Sequence, residues 1–449
     1  MSLGKRRWRE KQDAIWIEAA SVPTPAGHPF YQRLNQLLES RGFDRFAEET
    51  CRGFYSDRGR PGLAPGIYFR LLLIGYFEGI DGERGIAWRA ADSFALRAFL
   101  GYELHEGTPD HTTISRTRRL IDIETHRTVF IWVLSMLAEE GLLRGHTVAI
   151  DGTTLEANAA LRSIVRRDTG TAYEEFLRQL AKESGIETPT REQLAKLDRK
   201  RPKKGSNEDW VNPHDPDAQI TKMKDGRTHL AHKAEHAVDL ETGAVLAVTL
   251  QPATAGDTST IYETLAQCGE NIREAAGQAN AVTEMKANHE GPAELVLDKG
   301  YHSNDVLVVL KQTQVRAYCS EPERGQRKWI GKAEEQAATY QNRRRIRGER
   351  GKLLLRQRGE RVERSFAHLY ETGAMRKTHL RRHENIIKRL LIHACAFNLG
   401  LVMRKHCGSG TPRRLGDASQ NVLLALQIII EFLRYGADRD FSPTKNASW

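Results

Sequence analysis

Apolar residues recur at three- and four-residue spacing from about residue 28 to 145, which predicts a helical N-terminal region. Tyr31, Leu34, Leu37 and Leu38 make one apolar face. Ile67, Leu71, Leu72 and Ile74 make another, after the turn residues of GRPGLAPG. In PDHTTISRTRRLI, Asp110 or Thr112 can cap a short helix that carries Arg116, Arg118 and Arg119. The rhythm then changes. HTVAID reads as a strand closing on Asp151, and ELVLDKG as a buried strand closing on Asp298. Between them, about 160–225 is a charge-rich insertion expected to be helical and then disordered. Two β-rich runs meet at a hairpin, Asp239 to Gly243. TAGDTSTIYETLAQ follows as a capped helix, and beyond ELVLDKGYHS come a helix in NDVLVVLKQ and a strand in VRAYCS.

The order strand, strand pair, helix, strand, helix, strand describes an α/β protein with a mixed sheet in the order of a ribonuclease-H-like core. A helix over about 353–370 is expected to bring Leu355, Val362, Phe366 and Leu369 to that core and leave its arginines outside. HENIIKRLLIHACAFNLGLVMRK is a strongly apolar helix, followed by the linker GSGTPRRLGDAS and an amphipathic segment, QNVLLALQIIIEFLRYG. Three parts are therefore expected: an all-helical N-terminal domain (1–140), a mixed-sheet domain (145–405) interrupted at about 160–225, and a C-terminal linker and helix (406–449); the charge and the resemblance set out below assign DNA binding to the first and catalysis to the second. No apolar run approaches the roughly 20 residues that span a bilayer. No membrane partner is expected, and the start of the chain lacks the features of a secretory signal.

Composition sharpens the functional side. The 449 residues carry a formal charge of +10, which favours a polyanionic partner, because phosphates neutralised by Lys or Arg release condensed counterions. The five cysteines are scattered, with no CxxC pairing, so neither a disulfide framework nor a zinc knuckle is indicated and a reducing, cytoplasmic location is expected. Carboxylates at the ends of neighbouring strands, joined by a third from a helix, would form a cage of hard oxygen ligands. Such a cage holds two magnesium (or manganese) ions about 4 Å apart and suits phosphodiester chemistry. Asp151 and Asp298 are the strand candidates. The third acid lies among Glu349, Glu360 and Glu363 in the basic stretch, with Glu363 flanked by the core-like Val362 and Phe366.

VAIDGTTLEANAA, DPDAQ, the ATAGDT turn, LVLDKGYHS and ERVERSFAHLYETGAMRKTHLRRHENIIKRLLIHACAFNLGLV resemble, block by block and in order, bacterial insertion-sequence transposases of the DDE class. The helical N-terminal segment from GRPGLAPG to TPDHTTISRTR is similar to theirs, so the resemblance runs from about residue 30 to 405. It implies that Asp151, Asp298 and Glu363 are the catalytic, metal-binding triad. It also implies that double-stranded DNA, as element ends and target, is the partner, and that the activity is cutting element ends and joining them to target DNA. Many relatives have an Arg four residues before the Glu and a Lys seven after; here those places hold Gly359 and Tyr370, which leaves Glu363 and Glu360 both open. DNA contacts are expected from Arg116, Arg118 and Arg119, from His302 beside Asp298, and from Arg343, Arg344, Arg345, Arg356, Arg358, Arg361, Arg376 and Lys377. Holding two ends together implies a homodimer, with the segment Val422 to Leu433 a candidate contact. Two alternatives remain: a nuclease that cuts without joining, and a DNA-binding regulator descended from a transposase.

Overall fold

The computed structural model describes residues 27–56, 58–201, 205–279, 290–323, 325 and 327–413. The chain opens with helices α1 (Pro29–Ser40), α2 (Phe43–Cys51), α3 (Pro65–Glu78), α4 (Glu83–Asp92), α5 (Phe94–Leu100), α6 (His111–Leu120) and α7 (Ile123–Glu139). Local chemistry sets their ends. Asp110 and Asp122 accept from the Thr113 and Thr125 amides and so cap α6 and α7. Gly79, at φ 68°, closes α3 in the left-handed conformation that costs a glycine nothing.

The sheet begins with β1 (Thr147–Glu156). An excursion then carries β2 (Val165–Arg166), α8 (Tyr173–Glu183), α9 (Arg191–Lys200) and β3 (Trp210–Val211). After it come β4 (Gln219–Lys222), β5 (Thr228–Asp239), β6 (Val245–Pro252), α10 (Asp257–Gln278), β7 (Glu294–Leu297), α11 (Asn304–Gln312) and β8 (Arg316–Cys319). Three helices follow: α12 (Ala333–Arg347), α13 (Glu349–Phe366), which runs into a π-turn over Ala367–Thr372, and α14 (His383–Cys407).

Strands lie side by side in the order β6-β5-β1-β7-β8, with β4 added to β5. β5 is antiparallel to β1, β4 and β6, whereas β7 is parallel to both β1 and β8. This mixed arrangement is compatible with a ribonuclease-H-like core. The expected hairpin at Asp239 to Gly243 joins β5 to β6.

α14 is buried on nearly every side, against α7, α3 and β6, and one apolar core runs from the N-terminal helices into the sheet. It is also long and apolar enough to cross a bilayer, contrary to the reading of the sequence, but 89% of its most apolar window is buried inside the fold. An all-round apolar helix is what the centre of a large protein requires.

The excursion departs from the expected disorder. Trp210, 1% exposed, packs edge-on against Tyr173 and Phe176 at 4.9 and 5.3 Å, and Leu177, Ala181 and Leu194 form a second small cluster. A few aromatic and aliphatic residues spaced through a charged segment suffice to order it. The DPDAQ block ties this region to the core: Asp215 and Asp217 accept from the Arg382 and His383 amides, both at 2.9 Å, at the start of α14. The C-terminal amphipathic segment and its proposed dimer contact lie outside the described residues.

Candidate active site

β1 does not stop at Asp151. Its parallel ladder with β7 ends at the pair Ile150 and Leu297, while its antiparallel ladder with β5 continues to Glu156. Asp151 and Asp298 are therefore each the first residue beyond the last shared rung of two parallel strands, side by side at the point where β1 and β7 part. An open strand end of this kind leaves room for a ligand without disrupting the sheet.

Arg358, on α13, bridges the two acids. Its Nη1 donates to Asp151 Oδ2 at 2.7 Å, and its Nη2 lies 3.9 Å from Asp298 Oδ1. Asp151 also accepts from the Gly152 amide at 2.8 Å, and Asp298 from the Lys299 amide at 2.6 Å. Burial raises the Asp151 carboxyl above its ordinary range and the neighbouring Asp298 charge adds to the rise, opposed by Arg358 and the Gly152 amide.

The opposite face of the same strands carries a buried polar post. Gly152, paired with Glu235, turns that way, and Glu235 is fully buried. Glu235 accepts from Tyr301 Oη at 3.0 Å, from Thr264 at 2.6 Å and from Thr260, and lies 2.9 Å from Lys233 Nζ. Lys233 in turn donates to Asp257 at 2.6 Å. Asp257 presses against Gly300, where a Cβ would overlap Asp257 Oδ2. The ATAGDT turn and the loop after Asp298 are thus two ends of one buried network.

On the Asp151 face, α13 docks through His236, which is paired with Asp151 across the strands. His236 is fully buried between Ser365 Oγ at 3.0 Å and Tyr370 Oη at 2.5 Å, and burial pushes its imidazole down to about 3.

The third carboxylate does not join the pair in this arrangement. Glu363 is exposed, and Glu360 is exposed and paired with Arg364 at 2.9 Å. Among the described residues no group of three or more His, Cys, Asp or Glu side chains is placed to hold a metal. The reason is helix phase. Gly351, Leu354, Val362 and Ser365 are the buried positions of α13, with Arg358 half-buried on the same face. Leu355 and Phe366, expected inside, are only partly covered. Five residues beyond Arg358 is about 140° further round an α-helix, and two residues about 200°. The donor set that does converge, two hard carboxylates with a cation already drawn to both, fits a hydrated magnesium or manganese ion that keeps several waters.

The expected DNA contacts divide by environment. Arg116, Arg119, Arg344, Arg356 and Lys377 are exposed, and Arg361 is partly so. Arg376 reaches Thr153, two residues from Asp151 on the same strand face, at 3.2 Å, and Lys377 pairs with Glu156 at 2.7 Å. Four of the residues expected to contact DNA are committed within the fold here. Arg118 is buried and bound to Glu83 and to Asn385, so it joins α6 to α4 and α14. His302 is 1% exposed and packed inside. Arg343 forks onto Glu321 at 2.6 and 2.8 Å, and Arg345 is partly buried against the Ala317 carbonyl. Sequence reasoning missed the Lys233–Glu235 post and His236. The signal was present in THLAHKAEHAVD, a strand whose ionisable residues face both sides yet are all buried from Leu230's neighbour Ala231 onward.

Comparison with known families matches residues 20–120 to the Transposase domain (DUF772) and residues 146–399 to the Transposase DDE domain. No curated protein and no solved structure matches the chain. The DDE-domain match covers more than half of the sequence and brackets the strand ends that carry Asp151 and Asp298. The chain belongs to the DDE transposase family.

Proposed function

We propose that this transposase binds the terminal inverted repeats of its insertion sequence, cleaves the DNA there and joins the 3′ ends to target DNA. The observation that carries the reading is the meeting of Asp151 and Asp298 at the parting of two parallel strands, close enough to share one guanidinium. Two divalent ions, when bound, would supply activation of the attacking oxygen and stabilisation of the leaving one. Asp151 and Asp298 are their proposed ligands. Glu363, or Glu360 beside it, is proposed to complete the set once α13 changes its presentation, since neither faces the pair here.

The remaining residues grip and orient. Arg376, which reaches Thr153 on the strand face of Asp151, is proposed to hold a phosphate flanking the scissile bond, with Arg356, Arg361 and Lys377 as further proposed backbone contacts. In the N-terminal region, Arg58, Arg60 and Arg116 line a groove with Tyr55, Tyr102 and Thr113. That groove is the proposed seat of the terminal repeat, and a dimer would hold two such ends together.

The test combines precut element ends with a supercoiled target. Insertion products are expected from the wild-type protein, and neither cleavage nor joining from Asp151→Ala or Asp298→Ala, with end binding retained. Cleavage without insertion would leave a nuclease, and unchanged cleavage by either variant would remove the site assignment.

A further inference from the structure

A guanidinium already stands between Asp151 and Asp298. Arg358 reaches both carboxylates, at 2.7 and 3.9 Å, and among the described residues its polar contacts go to these two acids alone. A singly charged group between two carboxylates leaves a net negative charge, which a divalent ion would neutralise fully. The two cations therefore compete for the same oxygens. What would favour the divalent ion is a second anion to receive the guanidinium.

Such an anion has a place to arrive. Arg376 stands on Thr153, two residues along the strand face of Asp151, and Arg361 lies one helical turn beyond Arg358 on α13. A DNA backbone drawn to those arginines brings phosphate oxygens within the sweep of a long arginine side chain. Arg–phosphate forks are at least as well matched in geometry as Arg–carboxylate ones.

We propose that Arg358 is a counter-ion that keeps divalent cations out of the Asp151–Asp298 pair until DNA phosphate draws it away, so that cation loading depends on DNA. The inference rests on the reading of this pair as the cation site. It ties assembly of the cation site to the arrival of DNA. Because coupling between two ligands is reciprocal, manganese must tighten DNA binding by the factor by which DNA tightens manganese binding.

The experiment measures Mn²⁺ binding to the full chain by the electron paramagnetic resonance signal of free Mn²⁺, with and without a short duplex of random sequence. Ions bound by DNA itself are subtracted using the duplex alone. Wild type is expected to bind weakly alone and about tenfold or more tightly with DNA, within the usual range of coupling. Arg358→Gln is expected to bind without DNA about as tightly as wild type does with it. Arg358→Lys, which keeps the charge and guards the pair if the variant with Gln folds poorly, is expected to stay near wild type. Equal Mn²⁺ affinity for Arg358→Gln and wild type in the absence of DNA, with both signals abolished by Asp151→Asn, overturns the gate and leaves the site standing. Binding that survives Asp151→Asn and Asp298→Asn overturns the site itself.

Discussion

Replacing Lys233 by Met tests whether the buried post beneath the strand ends holds the loop of Asp298 in place. Lys233 is 5% exposed, and its ammonium touches Glu235 at 2.9 Å, Asp257 at 2.6 Å and Thr260 at 2.9 Å. Removing it leaves the fully buried Glu235 carboxylate without its cation, which costs about 3–5 kcal/mol when nothing else compensates. Three hydroxyls, from Thr260, Thr264 and Tyr301, still donate to Glu235. The low end, about 3 kcal/mol, is therefore expected. At about 2–4 °C per kcal/mol for a cooperative unit of 150–250 residues, the melting temperature should fall by roughly 6–12 °C. Adding Glu235→Gln removes the orphaned charge while keeping an oxygen for the hydroxyls, so the double variant should regain most of that loss. Differential scanning fluorimetry of the wild type, both single variants and the double variant reads the cycle directly. A loss below about 1 kcal/mol for Lys233→Met, or a double variant no more stable than Lys233→Met alone, would refute the reasoning.

Three further outcomes follow from the packing. His236 has a folded-state value near 3, below its ordinary 6.5, so it favours the native state fully above about pH 6.5 and loses that contribution as pH falls toward 3, at up to about 1.4 kcal/mol per pH unit. His236→Gln should flatten the acid limb of stability measured from pH 7 to 4; an unchanged limb would show that another group controls it. Gly300→Ala should lower cation affinity and strand cleavage, because the new methyl displaces Asp257 and with it the turn after Asp298; titration of cleavage against Mg²⁺ checks this. Arg118→Ala should destabilise the protein by about 3 kcal/mol or more through its orphaned Glu83 partner, whereas Arg116→Ala should leave stability within about 0.5 kcal/mol and weaken DNA binding. Equal melting temperatures for the two variants would contradict that division.

The chain made its element order plain because its periodicities are clean. The helical character of the N-terminal region, the hairpin at Asp239 to Gly243 and the run from β7 through α11 to β8 are marked by spacing and turn chemistry in the sequence itself. Asp151 and Asp298 were legible for the same reason, as acids closing apolar runs. What the sequence hid depends on tertiary choices. The phase of α13 is decided by which of several near-equivalent faces docks: Leu354 and Ser365 lie inside where Leu355 and Phe366 were expected, and that shift turns Arg358 rather than Glu363 toward the pair. The arginines look alike in sequence, yet Arg118 and Arg343 are committed to Glu83 and Glu321. Partners 35 and 22 residues away in the chain leave no local pattern to read. The order of the excursion was missed because charge dominates its composition while Trp210, Tyr173 and Phe176 supply its core.

The central claim is that Asp151 and Asp298 together hold the catalytic cation, and replacing each by Cys tests it at the ligand atom. A thiolate is a poor partner for magnesium and a better one for the softer manganese. Cleavage of element-end DNA by Asp151→Cys and Asp298→Cys should vanish in Mg²⁺ and return in part in Mn²⁺, with DNA binding unchanged throughout. Wild-type cleavage in Mg²⁺ by either variant would contradict the account.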